Sequence, residues 1–260
     1  MPIEWTRGSV TAAGTELRLM RAGKGSPVVI LHRDIGTLEQ LAFYDALAER
    51  HDVIIPIHPG YSEAPRPDWV RGVRDIAVLY RSMLDGLGVR GASLVGLGFG
   101  GWIAAEMATM APADISRLVL AGPMGVKPPT GDILDQALIS YIEYVRAGFH
   151  DPRAFETNYG ATLSTAQLVH WDLCREMSFR VAWKPYMYSD SLPHLLPGVK
   201  APALVIQGAH DQIVPASASA LYAERLPNAK LETMAGVGHL IEMEQPLALA
   251  SRITAFLASA

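Results

Sequence analysis

Four side chains in this 260-residue chain sit in motif-like surroundings and could move a proton or hold a charge: Arg33, Asp34, Asp211 and His239. His239 closes Gly236-Val237-Gly238-His239, and Asp211 lies in Gly208-Ala209-His210-Asp211-Gln212-Ile213-Val214-Pro215. Arg33 and Asp34 follow the apolar run that ends at Leu31. An imidazole titrates near neutrality and is the commonest general base. Each residue also has a plainer reading. Asp211 suits a turn before a Pro-containing loop. His239 could pack or cap near the last helix, and Arg33-Asp34 could be a surface ion pair. A fifth stretch, Val95-Gly96-Leu97-Gly98-Phe99-Gly100-Gly101-Trp102, carries no reactive side chain. It follows the apolar run from Ala92 and opens the Ala-rich segment Trp102 to Met110, so it reads as strand, tight turn, helix. Its glycines allow a sharp turn and a close approach of helix to strand.

The elements that must hold these residues follow from periodicity. Ser9 to Ala12 and Thr15 to Ala22 predict a hairpin across Ala13-Gly14. Pro27 to Leu31, Val53 to Ile57, Ala92 to Val95, Ile115 to Ala121, Ala203 to Gly208 and Lys230 to Met234 are short strands, the most apolar of them suited to cover on both faces. Helical spacing predicts helices over Thr37 to Arg50, Trp69 to Leu87, Ala216 to Leu226 and Gln245 to Leu257. The alternation implies a mainly parallel sheet covered on both faces. From Gly122 to Lys200 the rhythm changes to a mostly helical, aromatic-rich stretch with breaks at Gly148, Gly160 and Pro185. It follows the carboxyl end of a strand, the edge where such sheets bind ligands. We read 123–200 as a helical cap on a core formed by 1–122 and 201–260.

The chain resembles the α/β-hydrolase superfamily over nearly its whole length. Within it, the chain is similar to capped small-molecule hydrolases such as the carbon–carbon bond hydrolases of aromatic catabolism. Gly96-Leu97-Gly98-Phe99-Gly100-Gly101 is similar to the family's nucleophile elbow, G-x-S-F-G-G. The stretch from Gly208 to Pro215 is similar to G-x-x-D-x-x-V-P, and Gly236 to His239 to the terminal G-x-x-H turn. The three pieces occur in the family's order of nucleophile, acid and base. The resemblance implies an α/β-hydrolase fold with a helical cap. It makes His239 the base that takes the nucleophile's proton and Asp211 the group that orients it. It makes the N–H groups of Phe99 and Asp34 the oxyanion donors. Two departures stand out. Gly98 occupies the serine's place and can be neither nucleophile nor base. Arg33 replaces the usual glycine of H-G, and Asp34 brings a carboxylate that would oppose a developing oxyanion unless it is neutralised or turned away.

Loss of such a serine costs about 10⁶ in kcat if covalent catalysis is the sole route. A water held by His239 offers another route. Gly98 is either an engineered replacement or a natural divergence, and the second departure at Arg33-Asp34 favours divergence. The expected function is therefore hydrolysis of an ester or carbon–carbon bond in a small, largely apolar carbonyl compound, at a non-standard site. The alternative is a catalytically silent binding or interaction protein on the same fold. A serine restored at 98 is expected to revive esterase chemistry if Asp34 leaves the oxyanion hole intact.

Composition bounds the rest. Half of the residues are apolar and 18% are charged, as in soluble globular chains. A net charge of −4 without a basic tract argues against nucleic acid as a partner. No run approaches a membrane span, and Met1 to Gly8 has no apolar signal core, so the expected compartment is the cytoplasm. Cys174 is alone, which excludes an internal disulfide and suits a small buried thiol. His51, His150, His170, His194 and His210 form no convincing metal-ligand spacing, and the elbow lacks the G-x-G-x-x-G register, so neither metal nor cofactor is implied. The expected partner is a small-molecule substrate or ligand; a homo-oligomer is compatible with the sequence.

Overall fold

A computed structural model describes residues 3–62 and 64–259. Met1, Pro2, Glu63 and Ala260, which fall in the expected core segments, lie outside the described residues. The chain opens with the hairpin β1 (Thr6–Ala12) and β2 (Thr15–Ala22), followed by β3 (Pro27–Leu31), α1 (Ala42–Ala48), β4 (Asp52–Pro56) and α2 (Val73–Gly86). Then come β5 (Ala92–Leu97), α3 (Phe99–Met110) and β6 (Ile115–Ala121). Helices α4 (Tyr141–Ala147), α5 (Pro152–Tyr159), α6 (Thr165–Ala182) and α7 (Leu192–Leu195) interrupt the alternation. It resumes with β7 (Ala203–Gly208), α8 (Ala216–Arg225), β8 (Ala229–Met234), α9 (Ile241–Glu244) and α10 (Pro246–Ala258).

Among the described residues the strands form one eight-stranded sheet in the order β1-β2-β4-β3-β5-β6-β7-β8. β1, β2 and β4 pair antiparallel, and the pairs from β4 to β8 are parallel. The central strands are buried on both faces, which is why they read as continuous apolar runs: Val29, Ile30, Leu31, Ile54, Leu94 and Val95 are fully inaccessible. The strand order reverses direction at β3, whose neighbours are β4 on one side and β5 on the other. Such a switch point opens a crevice at the carboxyl ends of the strands. Leu31 pairs with Gly96, so the residues after β3 and after β5 leave the sheet side by side. That register brings Arg33-Asp34 to the turn at Gly98.

Several boundaries differ from the sequence expectation. The helix expected over Thr37 to Arg50 is confined to Ala42–Ala48. Thr37 is held in a loop by a 2.6 Å hydrogen bond between its hydroxyl and that of Tyr44. α2 starts at Val73 and not at Trp69, because Gly72 is extended and the Asp75 carboxylate accepts from the amides of Arg71 and Gly72. The single-turn α9 directly after His239 was not foreseen. In the insertion, Gly148 and Gly160 end α4 and α5 as expected. α4 packs on α6 and α5 packs on α9, whereas α7 rests on α3 and α8 of the sheet layer. No helix among the described residues is long and apolar enough to cross a membrane.

Candidate active site

The turn after β5 adopts the geometry its glycines permit. Gly98 has φ +52° and ψ −111°, a combination strained for residues with a side chain, and it starts α3 directly. Gly100 is required by proximity, since a Cβ there would lie 2.0 Å from the carbonyl oxygen of Leu31. The Phe99 amide is the first N–H of α3 and has no intrahelical acceptor.

Asp211 and His239 meet at the same sheet edge. His239 Nδ1 lies 2.8 Å from Asp211 Oδ2, and both side chains are almost completely buried. The other carboxylate oxygen, Asp211 Oδ1, accepts from the amides of Ile213 and Val214, each at 2.8 Å. Burial pushes the Asp211 pKa up, but His239 and the two amides outweigh it and hold it below the usual carboxylate value. An ionised Asp211 keeps the proton of neutral His239 on Nδ1 and aims Nε2 as a base. His239 Nε2 is buried and has no hydrogen-bond partner among the described residues.

Arg33 is not a surface residue. Its side chain is 1% exposed and forms a two-pronged ion pair with buried Glu242 of α9: Nε to Oε1 at 2.7 Å and Nη2 to Oε2 at 2.8 Å. Burial opposes the guanidinium charge, yet the Arg33 pKa is raised by Glu242, with Asp211 and Asp34 adding to the effect. The third terminal nitrogen, Nη1, is buried without a partner. A Cβ built on Gly98 would lie 2.8 Å from Arg33 Nη1 and 2.9 Å from His239 Nε2. The guanidinium therefore fills space that a side chain at 98 would need.

Asp34 is also buried, and its partners come from the insertion. Its Oδ2 accepts from Gln136 Nε2 at 2.6 Å and from the Tyr144 hydroxyl at 2.7 Å, and the Tyr141 hydroxyl donates to its backbone carbonyl at 3.2 Å. Burial raises its pKa, against opposing contributions from Tyr144, His239, its own backbone N–H and Arg33. The amide that the family resemblance assigns to the oxyanion hole thus belongs to a residue whose buried carboxylate would oppose an oxyanion there. The surface-pair reading of Arg33-Asp34 does not hold: both side chains are buried and take separate partners, Glu242 for one, Gln136 and Tyr144 for the other.

The floor beside them is a stacked pair of histidines, His32 and His58, with ring centroids 3.6 Å apart. His32 Nδ1 faces the Arg33 carbonyl at 2.8 Å and its Nε2 accepts from the His58 amide. His58 Nε2 faces the His32 carbonyl, and its Nδ1 meets the Tyr80 hydroxyl at 2.6 Å. Burial pushes the His32 pKa down to about 3 and that of His58 well below its ordinary value. Both rings are neutral braces for the loop that carries Arg33 and Asp34.

The insertion after β6 packs closely against the dyad. A cavity of about 10 Å³ beside His239 is lined by Asp34, Ile35, Tyr144, Val145, Ile213 and Leu240, among others. That is at the lower limit for one water molecule. A wider cleft of about 760 Å³ lies between the β1–β2 hairpin and α6, with Leu19, Met20, Leu38, Val169 and Leu173 among its walls. Gly98, Asp211 and His239 do not line it. His170 and Cys174 pack against Gly36, on the loop that continues from Asp34. Cys174 is fully buried, and burial pushes its thiol pKa up to about 12, which leaves it unreactive. The aromatics Phe149, Phe155, Tyr159 and Trp171 of the insertion pack on one another, while Tyr141 and Tyr144 face Asp34.

Sequence reasoning missed Glu242, Gln136 and Tyr144. Glu242 had a legible signal, an acidic residue in the apolar stretch directly after His239. Gln136 and Tyr144 had none, because their role depends on how the insertion docks.

A family model described as alpha/beta hydrolase family matches residues 28–252. The 2-hydroxymuconate semialdehyde hydrolase of Pseudomonas sp. strain CF600 is 29% identical, covering 96% of this chain and 93% of that protein. The 2-hydroxy-6-oxononadienedioate/2-hydroxy-6-oxononatrienedioate hydrolase of Paraburkholderia phymatum is 28% identical over 91% of this chain and 89% of its own. Among solved structures, a serine hydrolase involved in carbazole degradation superposes with a TM-score of 0.79 at 20% identity, covering 98% of this chain and 99% of its own. A bacterial membrane phospholipase A superposes with a TM-score of 0.80 at 20% identity, covering 97% and 86%.

Proposed function

Because the chain belongs to the alpha/beta hydrolase family and its relatives include hydrolases of small molecules, we propose that it hydrolyses a small, largely apolar carbonyl compound without forming a covalent enzyme intermediate. The observation that carries this reading is the intact, buried Asp211–His239 pair beside a turn that has no nucleophile. His239 Nε2 takes a proton from water as the water oxygen bonds to the carbonyl carbon. The resulting tetrahedral species breaks its bond to the ester oxygen or to the neighbouring carbon. The departing atom takes the proton back from the imidazolium, leaving a carboxylic acid and an alcohol or a protonated carbon fragment. Asp211 stabilises the imidazolium throughout. Segment 123–200 acts as a cap that must move to admit substrate, since the cavity beside His239 is about 10 Å³.

The test is turnover of p-nitrophenyl acetate and of a 2-hydroxy-6-oxodienoate by wild type and His239→Ala. The expected result is slow wild-type turnover without a burst, reduced about 10²–10⁴-fold in the variant. A second reading, a catalytically silent binding protein, is favoured by the Arg33 guanidinium lying in the space a nucleophile would need. Equal rates for the two proteins on both substrates select that reading.

A further inference from the structure

Two buried nitrogens at this site have no partner among the described residues, Arg33 Nη1 and His239 Nε2, and they flank the same glycine. Buried polar groups without partners are rare and destabilising, so a pair of them on either side of one turn points to a ligand. Arg33 is not free to turn away. Nε and Nη2 are committed to Glu242, which leaves Nη1 as a donor fixed in direction before any ligand arrives. The family resemblance puts one oxyanion donor on the backbone N–H of Asp34, whose own buried carboxylate, held by Gln136 and Tyr144, would oppose an oxyanion at that arm.

We propose that Arg33 Nη1 replaces that arm: it donates to the oxygen of a reacting carbonyl while His239 Nε2 faces the attacking water, and the carbonyl compound is uncharged at this end. This rests on the hydrolytic reading above and names the substrate class for it. The charge inventory selects the neutral ligand. Glu242 is already paired with Arg33, and Asp211 with His239. A carboxylate entering here would add a further negative charge beside these two, against one guanidinium and one imidazole. A ketone, ester or amide oxygen accepts the same N–H and adds none. Glu242 is a positioning residue that fixes the guanidinium plane through a bidentate contact.

The isosteric pair acetamide and acetate tests the proposal. Each is titrated into protein labelled with ¹⁵N on arginine and histidine, following the Arg33 Nε–H and His239 ring signals by NMR. Acetamide is expected to shift both sets with an affinity at least about tenfold above that of acetate. The double variant Arg33→Met/Glu242→Leu removes the ion pair without leaving a lone buried charge and stays folded. In it, the acetamide-induced shift of His239 is lost. Three results overturn the proposal: acetate binding as tightly as acetamide, an undiminished His239 shift in the double variant, or no response to either ligand. The outcomes separate from those of the catalytic reading. Acetamide binding without His239-dependent turnover removes the hydrolytic reading and leaves the neutral-carbonyl site standing. His239-dependent turnover that survives undiminished in the double variant removes the role of Arg33 alone.

Discussion

The two sides of the site are built differently. On the β7–β8 side, Asp211 and His239 retain an arrangement suited to proton transfer, with one carboxylate oxygen clamped by two amides and the other bonded to the ring. On the β3–β5 side, the turn carries no side chain at Gly98, and Arg33, Glu242 and Asp34 occupy the surroundings. The difference teaches that base and nucleophile are separable parts. It also shows that the changes on the second side fit one another. A Cβ at 98 would be 2.8 Å from Arg33 Nη1, and Arg33 is held there by a glutamate from α9. A lone replacement of serine by glycine supplies no reason for a buried arginine and its counter-ion, so we read Gly98, Arg33 and Glu242 as one adapted set.

The largest effect comes from trying to make the second side resemble the first again. Gly98→Ser alone should remain within about tenfold of wild type on p-nitrophenyl acetate, because the new side chain meets a guanidinium that Glu242 prevents from moving. Gly98→Ser combined with Arg33→Gly and Glu242→Leu clears that space. Ester hydrolysis should then rise about 10²–10³-fold, short of the roughly 10⁶ that a full triad supplies. A fluorophosphonate should add its mass to the triple variant and not to the single one. Equal labelling of the two would show that Arg33 yields readily and that the two sides are less distinct than their geometry suggests.

A smaller effect concerns stability. Arg33→Met leaves the Glu242 carboxylate buried without a partner and should cost about 3–5 kcal/mol in urea unfolding. Arg33→Met/Glu242→Leu should recover most of that loss. A single variant as stable as wild type would mean that water reaches Glu242, and the preorganised guanidinium would have no basis.

Much of the frame was legible before the structure. The strands β3, β6 and β7 match their expected bounds residue for residue, because burial on both faces writes a nearly continuous apolar signal over β3, β7 and the second half of β6. Gly98, Asp211 and His239 could be placed at one sheet edge because each follows a strand in a short motif. Arg33 and Asp34 drew attention by departing from the family pattern, but their partners could not be read. Glu242 lies 209 residues from Arg33, and Gln136 and Tyr144 reach Asp34 across 102 and 110 residues. Such pairings are set by how the loops and the insertion after β6 dock, which leaves no period in the sequence. The late start of α1 after Leu41 was hidden for a related reason: Leu38 has helical spacing but sits in a loop secured by Thr37 and Tyr44.

The smallest predicted effect uses the two carboxylates that mark the two sides, since their pKa values move in opposite directions. The Asp211 pKa is depressed in the folded state, so folding favours its ionised form. Its stabilising contribution is complete above the unfolded value of about 3.9 and is lost as pH falls through the folded value. The Asp34 pKa is raised, so folding favours its protonated form. Its ionisation opposes folding, and that cost grows as pH rises from about 3.9 through the folded value. Asp211→Asn should therefore lose stability against wild type at neutral pH, with the gap closing in strong acid. Asp34→Asn keeps an acceptor for Gln136 and Tyr144 but carries no charge. It should gain on wild type as pH rises, measured as the difference in urea midpoint from pH 3 to pH 7. Parallel slopes for the two variants would mean that Asp34 is solvated or neutralised by Arg33, and the electrostatic contrast between the two sides would fail even with their geometry intact.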